Sequence, residues 1–310
     1  MTGAHPTSTL RDEGRSAWGV NHLVARSIPL VRLSLAWAVA CSLCVIDLLW
    51  CPRVGLSIAG WQTTAVLVCV LLGMSVCYRG RSRAIADMAE AGALWLAFTS
   101  AGCVLTYLCA TWAWPLHDVA LTVFDHALGF DWLTWRTVVL AAPGLHLALL
   151  LVYASLLPQI VLSVVLLPAM GRSERSFELL LLAELTLLPT ALISLIYPVL
   201  GPFATFGGQE ATFLPDLLAL RAGGPWHFNL RMMEGIVEMP SYHTVLAILF
   251  TYAYRGMGPV FWGIAALNGV MLLSIPPIGG HYFVDMIGGA AIAVLCVIAS
   301  RWWPRSTSDG

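Results

Sequence analysis

Gly279-Gly280-His281-Tyr282-Phe283-Val284-Asp285-Met286 runs without interruption into the apolar IGGAAIAVLCVIAS of residues 287–300. About 20 apolar residues cross the hydrocarbon core of a bilayer, so this stretch reads as a membrane helix entered through a glycine pair. His281 and Asp285 lie four apart at its start and share one helical face, where a carboxylate can fix an imidazole's tautomer and raise its basicity. Gly289, four residues further on, keeps that face narrow enough for another helix to approach.

The rest of the chain has the same character. Of its 310 residues 59% are hydrophobic and 11% charged, with a mean hydropathy of +0.81. No Asp, Glu, Lys or Arg occurs in 54–78, 91–117, 137–171, 185–209 or 256–284, each at least 25 residues long. A soluble globular enzyme is excluded. The net charge of -1 gives no basic surface for nucleic acid. All 16 basic residues are Arg, which excludes Schiff-base chemistry and Lys-dependent phosphate motifs.

The expected fold is all-α, a polytopic membrane bundle of about eight helices near 29–51, 55–78, 91–116, 140–166, 177–199, 240–255, 259–276 and 282–303. Residues 1–28 and 304–310 form cytoplasmic tails, 29–116 the N-terminal helices and 117–303 a core region. With the N-terminus inside, that side holds Arg11, Arg15, Arg26, Arg79, Arg81, Arg83, Arg172, Arg175, Arg255, Arg301 and Arg305, and the outer side only Arg53, Arg136, Arg221 and Arg231. Eleven against four is a positive-inside bias. Arg11, Arg15 and Arg26 before an apolar run resemble a signal peptide, and Ala38-Val39-Ala40-Cys41 a lipoprotein box, but the run reaches about Trp50 and is long enough to stay as a helix. The eight Cys fall in or beside apolar segments and read as packing residues, the Cys41/Cys44 pair included.

Two outer connections exceed tight turns. Residues 117–136, with Asp118, Asp125, Asp131, Trp132 and Trp135, suit an amphipathic helix lying at the interface, with His117 and His126 solvated. Residues 200–239 are rich in Gly and Pro and pass Arg221, His227, Arg231, Glu234 and Glu238. Such long loops are more often functional than idle. Within the spans, Glu184 is expected to pair with His146, and Asp47 to be a packing or interfacial acid.

The outer loop leads into Pro240-Ser241-Tyr242-His243 and then TVLAILFTYAY. Pro followed by Ser marks a helix start, with Ser241 placed as its cap and free N–H groups that attract an anion. His243 and His281 are 38 residues apart, separated by one inward helix, Arg255 and one outward helix, so both return to the outer face. A proton relay in a channel or transporter is the reading from a different class, disfavoured because no inverted repeat or broken mid-membrane helix pair is visible.

PSYH and GGHYFVDMIGG together resemble the type 2 phosphatidic acid phosphatase superfamily, and more closely its inositol phosphorylceramide synthase (aureobasidin-resistance protein) branch, with motifs similar to PSxH and HYxxD. The resemblance covers roughly 118–303 and implies that the last six helices form a phosphatase-like core. It implies an integral membrane lipid phosphotransferase or phosphatase working through a phosphohistidine, with a lipid phosphate or prenyl pyrophosphate phosphatase as the alternative. His281 would be the nucleophile, Asp285 its orienting partner and His243 the acid for the leaving oxygen, with Ser241, Tyr242 and Gly280 at the substrate and no metal or cofactor. Ser274 matches the Ser that begins the superfamily's third motif. The soluble phosphatases, however, carry a Lys and an Arg before PSGH and another Arg six residues before the nucleophile, where Ile275 stands here. Arg221 and Arg231 are the outer-side substitutes for those phosphate-binding cations. No outer carboxylate stands at evident metal-ligand spacing. The expected partners are a membrane lipid substrate and the bilayer, in a bacterial inner membrane with the site on the periplasmic or lumenal side.

Overall fold

The computed structural model describes residues 10–207, 212–230 and 235–302, without side chains for 10–30. Thirteen helices and two short strands follow in chain order: α1 Leu10–Val54, β1 Leu56–Ala59, α2 Trp61–Tyr78, α3 Arg83–Ala110, α4 Asp118–Ala127, α5 Trp132–Ala141, α6 Pro143–Ala154, α7 Leu156–Ala169, α8 Ser173–Ile196, α9 Pro202–Phe206, α10 Leu214–Ala222, β2 Trp226–Asn229, α11 Tyr242–Ala253, α12 Pro259–Gly279 and α13 Phe283–Arg301. The starts follow the chemistry of orphan N–H groups: Ser82 accepts from Ile85 N, Asp131 from Thr134 N at 2.6 Å, and α12 begins with Pro259 in its first turn.

The chain is an all-α polytopic bundle. Six helices among the described residues are long and apolar enough to cross a membrane: Val31–Val54 within α1, α2, α3, α8, α12 and α13. The other two expected spans differ from the reading of an unbroken helix each. The apolar run expected as one helix over 140–166 is broken at Ser155 into α6 and α7, and α6 joins α5 at a 112° bend, where Ala142 leaves the helical conformation just before Pro143. The span expected over 240–255 is the twelve-residue α11. The N-terminal segment expected as a tail is already helical from Leu10, while residues 1–9 and 303–310 lie outside the described residues.

The buried centre lies between α1, α3, α8, α11 and α13, where Leu94, Phe98, Leu180, Ala183, Leu249 and Phe250 are enclosed. In a membrane the apolar solvent supplies no hydrophobic drive, so close approach through small residues and good packing must hold helices together. Gly102 shows this, since a methyl group there would come within 2.7 Å of Leu187. By contrast, α2 exposes Val66, Leu67, Val70, Met74 and Val76, as a lipid-facing helix should.

Polar contacts sort the connections by face. At one end Arg255 pairs with Glu178 at 2.7 Å, and Arg175 donates to the Arg255 carbonyl. On the opposite face β1, between α1 and α2, pairs in parallel with β2 of the long loop, Leu56 opposite Trp226 and Ala59 opposite Asn229. The apolar pattern of the sequence predicts a helix from residue 55 instead. Positive-φ glycines at 55 and 60 bracket the four-residue strand, which is too short to show an alternating pattern. Orientation has a direct check. In a Cys-free chain, Ala222→Cys is expected to react with an impermeant thiol reagent from outside and Gly80→Cys only after permeabilisation; the inverse pattern would overturn the outward placement.

Candidate active site

Two helix starts meet at the site. Ser241 caps α11, its hydroxyl accepting from Thr244 N at 3.4 Å, and its own N–H donates to the Asp285 carbonyl at 3.0 Å. The two helices can touch because position 289 lacks a side chain: a Cβ on Gly289 would lie 2.3 Å from the Ser241 carbonyl oxygen, which is backbone and cannot swing away. Gly289→Ala is therefore expected to cost about 1–3 kcal/mol through forced separation of α11 and α13, read as a lower melting temperature in detergent. An unchanged melting temperature would show that the contact is slack.

The contact brings together the two histidines read from the sequence. Their ring centroids are 6.3 Å apart, and Tyr153 of α6 stacks on His243 at 4.5 Å. Tyr153 also lies where a Cβ on Gly279 would be, so α6 closes this side. Gly280 has a φ of +73° and packs so tightly on Phe203 that a Cβ would sit 2.2 Å from its ring. Only glycine meets both demands, and the turn it makes delivers His281 to the mouth of α13.

His281 Nδ1 is 3.6 Å from Asp285 Oδ2, just beyond hydrogen-bond length. That oxygen also accepts from Tyr282 N at 2.9 Å, which holds the carboxylate against the imidazole. Burial depresses the His281 imidazole to about 4. The ring is thus neutral at physiological pH, with one nitrogen lone pair available.

A residue that sequence reasoning passed over completes the cluster. Glu238 Oε2 is also 3.6 Å from His281 Nδ1, and the residue is 5% exposed. The carboxylate expected to be missing from ligand spacing is therefore present: Glu238, His281 and Asp285 offer ligand atoms within 4.8 Å of one another. Burial, reinforced by Asp285 and Asp118, holds the Glu238 carboxyl well above its usual range. The available signal was a lone acid inside Ile236-Val237-Glu238-Met239-Pro240, since an apolar setting is expensive for a carboxylate without a task.

The acids of 117–136 face the protein as well as the interface. Asp125 accepts from Phe283 N at 2.8 Å and Val284 N at 2.9 Å, capping α13 from outside, and Asp118 receives Leu200 N, Gly201 N and the Tyr282 hydroxyl. His117, expected to be solvated, stacks on Tyr197 at 3.8 Å, whereas His126 is exposed beside Asp131. An amphipathic pattern marks which positions are polar but does not tell protein from water.

The remaining expected residues have varied surroundings. The Tyr242 hydroxyl donates to the Ala183 carbonyl at 2.7 Å, and Arg221 donates to the Trp114 carbonyl at 2.6 Å. Arg231 lies outside the described residues. Arg136 is buried and donates to the Pro277 carbonyl at 2.6 Å while covering the Phe203 ring, two contacts from the Gly280 turn. The expected Glu184–His146 pair does not form: neither Glu184 oxygen has a hydrogen-bond partner among the described residues, because α6 packs on α12 and α5 while α8 packs on α3, α1 and α11.

No curated protein and no solved structure matches the chain. The family model of the PAP2 superfamily matches residues 119–299, which hold α4 to α13 almost entirely and both histidines. Covering more than half of the sequence, and coinciding with the helix starts that meet here, this match makes the chain a member of the PAP2 superfamily.

Proposed function

We propose that the protein transfers the phosphoryl or phosphoalcohol group of a membrane lipid phosphate ester through a phosphohistidine on His281. The observation that supports it best is the pair of imidazoles 6.3 Å apart, His243 half-buried and His281 buried against a carboxylate at 3.6 Å. With its proton on Nδ1 facing Asp285, His281 presents the Nε2 lone pair to phosphorus. The Nε2–P bond forms as the bond to the leaving oxygen breaks, and that oxygen takes a proton from His243. In the second half His243 removes the proton of an acceptor hydroxyl, whose oxygen bonds to phosphorus as Nε2–P breaks. No metal takes part in these steps, and EDTA is expected to leave turnover intact.

Phosphoryl charge needs donors. The proposed ones are the free N–H groups at the start of α11, with Ser241, Tyr242 and Gly280 around them, and Arg221 and Arg231 of the loop that leads there. A site at the outer ends of membrane helices accepts a headgroup while the tail stays in lipid, which favours a lipid ester over a soluble one.

The likeness of HYFVD to the inositol phosphorylceramide synthase branch favours transfer to a lipid alcohol; hydrolysis of a lipid phosphate or prenyl pyrophosphate is the second reading. Product analysis with defined phosphodiester and phosphomonoester lipids, with and without an alcohol acceptor, separates them. Transfer requires an acceptor-dependent phosphodiester product, hydrolysis gives free lipid alcohol or diacylglycerol in water alone, and absence of both would refute the proposal.

A further inference from the structure

We propose that Glu238, His281 and Asp285 form an inhibitory binding site for a divalent first-row cation of the Zn2+ class. The inhibitory part rests on the phosphohistidine reading; the site itself rests on geometry. Zn–N and Zn–O bonds of about 2.0–2.1 Å at tetrahedral angles put neighbouring ligand atoms roughly 3.3 Å apart. His281 Nδ1 stands 3.6 Å from both Glu238 Oε2 and Asp285 Oδ2, and all three ligand atoms fall within 4.8 Å of one another. Small side-chain rotations close the difference.

Independent of the acids, His281 Nδ1 is itself a buried nitrogen with no hydrogen-bond partner, and it points into the carboxylate pair. Glu238 Oε2 and Asp285 Oδ1 are likewise unpartnered. Buried polar atoms usually have partners, so two such orphans facing each other at 3.6 Å, His281 Nδ1 and Glu238 Oε2, point to a ligand. Two carboxylates also cannot both ionise cheaply in a dry site, whereas a dication bound by them and a neutral imidazole leaves the cluster without net charge. One nitrogen and two carboxylate oxygens suit Zn2+ and its neighbours; Ca2+ and Mg2+ prefer six or more oxygens.

The inhibition follows from proton bookkeeping on one ring. A neutral imidazole carries a single N–H proton. When Nδ1 binds the cation, that proton must sit on Nε2, and the lone pair that attacks phosphorus is gone. The Nδ1 proton stays on the ring, at Nε2, so the only proton that binding can release is one held between the Glu238 and Asp285 carboxyls.

Co2+ serves as the visible probe and Zn2+ as the inhibitor, both with the purified full-length chain in detergent. One Co2+ per chain with a visible ligand-field spectrum is expected, displaced by Zn2+ and removed by EDTA. Glu238→Gln, close to isosteric, and His281→Gln should each weaken Co2+ binding by at least about tenfold. Zn2+ should inhibit turnover over the range in which it displaces Co2+, with EDTA restoring activity. Should either variant fail to fold, the band positions and intensity of the wild-type Co2+ spectrum, which distinguish a four-coordinate nitrogen and oxygen site from six-coordinate ligation, read the same ligands. Absence of 1:1 binding, binding indifferent to both substitutions, or a Co2+ spectrum of the weak six-coordinate type would overturn the site. Stimulation by Zn2+ would overturn the inhibitory role. A saturable Co2+ spectrum in a chain inactive on every lipid donor would instead count against the phosphotransfer reading alone.

Discussion

His281→Ala is expected to lower turnover by at least about 1,000-fold, corresponding to roughly 4 kcal/mol of transition-state stabilisation, and to abolish any acid-labile phosphoenzyme. The size follows from placement. The proposed reaction has one nucleophile, and the ring that supplies it is buried, neutral and held between a glycine turn and the first turn of α13. His243 stacks with Tyr153, and in the proposed reaction it serves the proton of the leaving oxygen. Single-turnover labelling with a radiolabelled lipid phosphate checks the covalent step, and the elution profile in detergent checks the fold. A correctly folded variant that kept a tenth of wild-type kcat would remove His281 from the chemistry.

For His243→Ala the expected loss is about 100- to 10,000-fold with alkyl donors, the usual range for a missing general acid. Donors with acidic phenol leaving groups should lose far less, because an aryl oxide departs without a proton. Formation of the phosphoenzyme from an aryl donor should survive while its discharge to an alcohol slows, since the second half needs His243 as base. Equal losses for both donor types would assign His243 to phosphate binding instead.

Much of the fold, and the two helix starts that meet at the site, was legible in the sequence. The spans showed because a bilayer demands long charge-free runs, and the His281–Asp285 and Ser241–His243 elements showed because each sits where a helix begins. What the chain concealed were relations between distant segments. The run 137–171 contains no charge to mark the break at Ser155 or the bend at Ala142. Asp118 and Asp125 looked like interfacial acids, since their real partners, the N–H groups of Leu200, Gly201, Phe283 and Val284, are 82 to 159 residues away. Glu238 belonged to a loop with no periodicity, so only its apolar neighbours hinted that it was enclosed. His146 and Glu184 were matched by chemistry alone, and the packing of their helices keeps them with different neighbours.

The pairing of β1 with β2 bears on where this molecule can be cut. The family match begins at residue 119, which suggests a separable catalytic unit with two or three accessory helices in front. The strand ladder crosses that boundary, and α1 and α3 share one packed interior with α8, α11 and α13. A fragment starting at the boundary would lose the strand that pairs with its long loop and much of the wall behind its histidines. The same ladder makes the two pieces complementary: co-expressed as separate chains, they carry matching edges and matching apolar faces through which a severed molecule would reassemble.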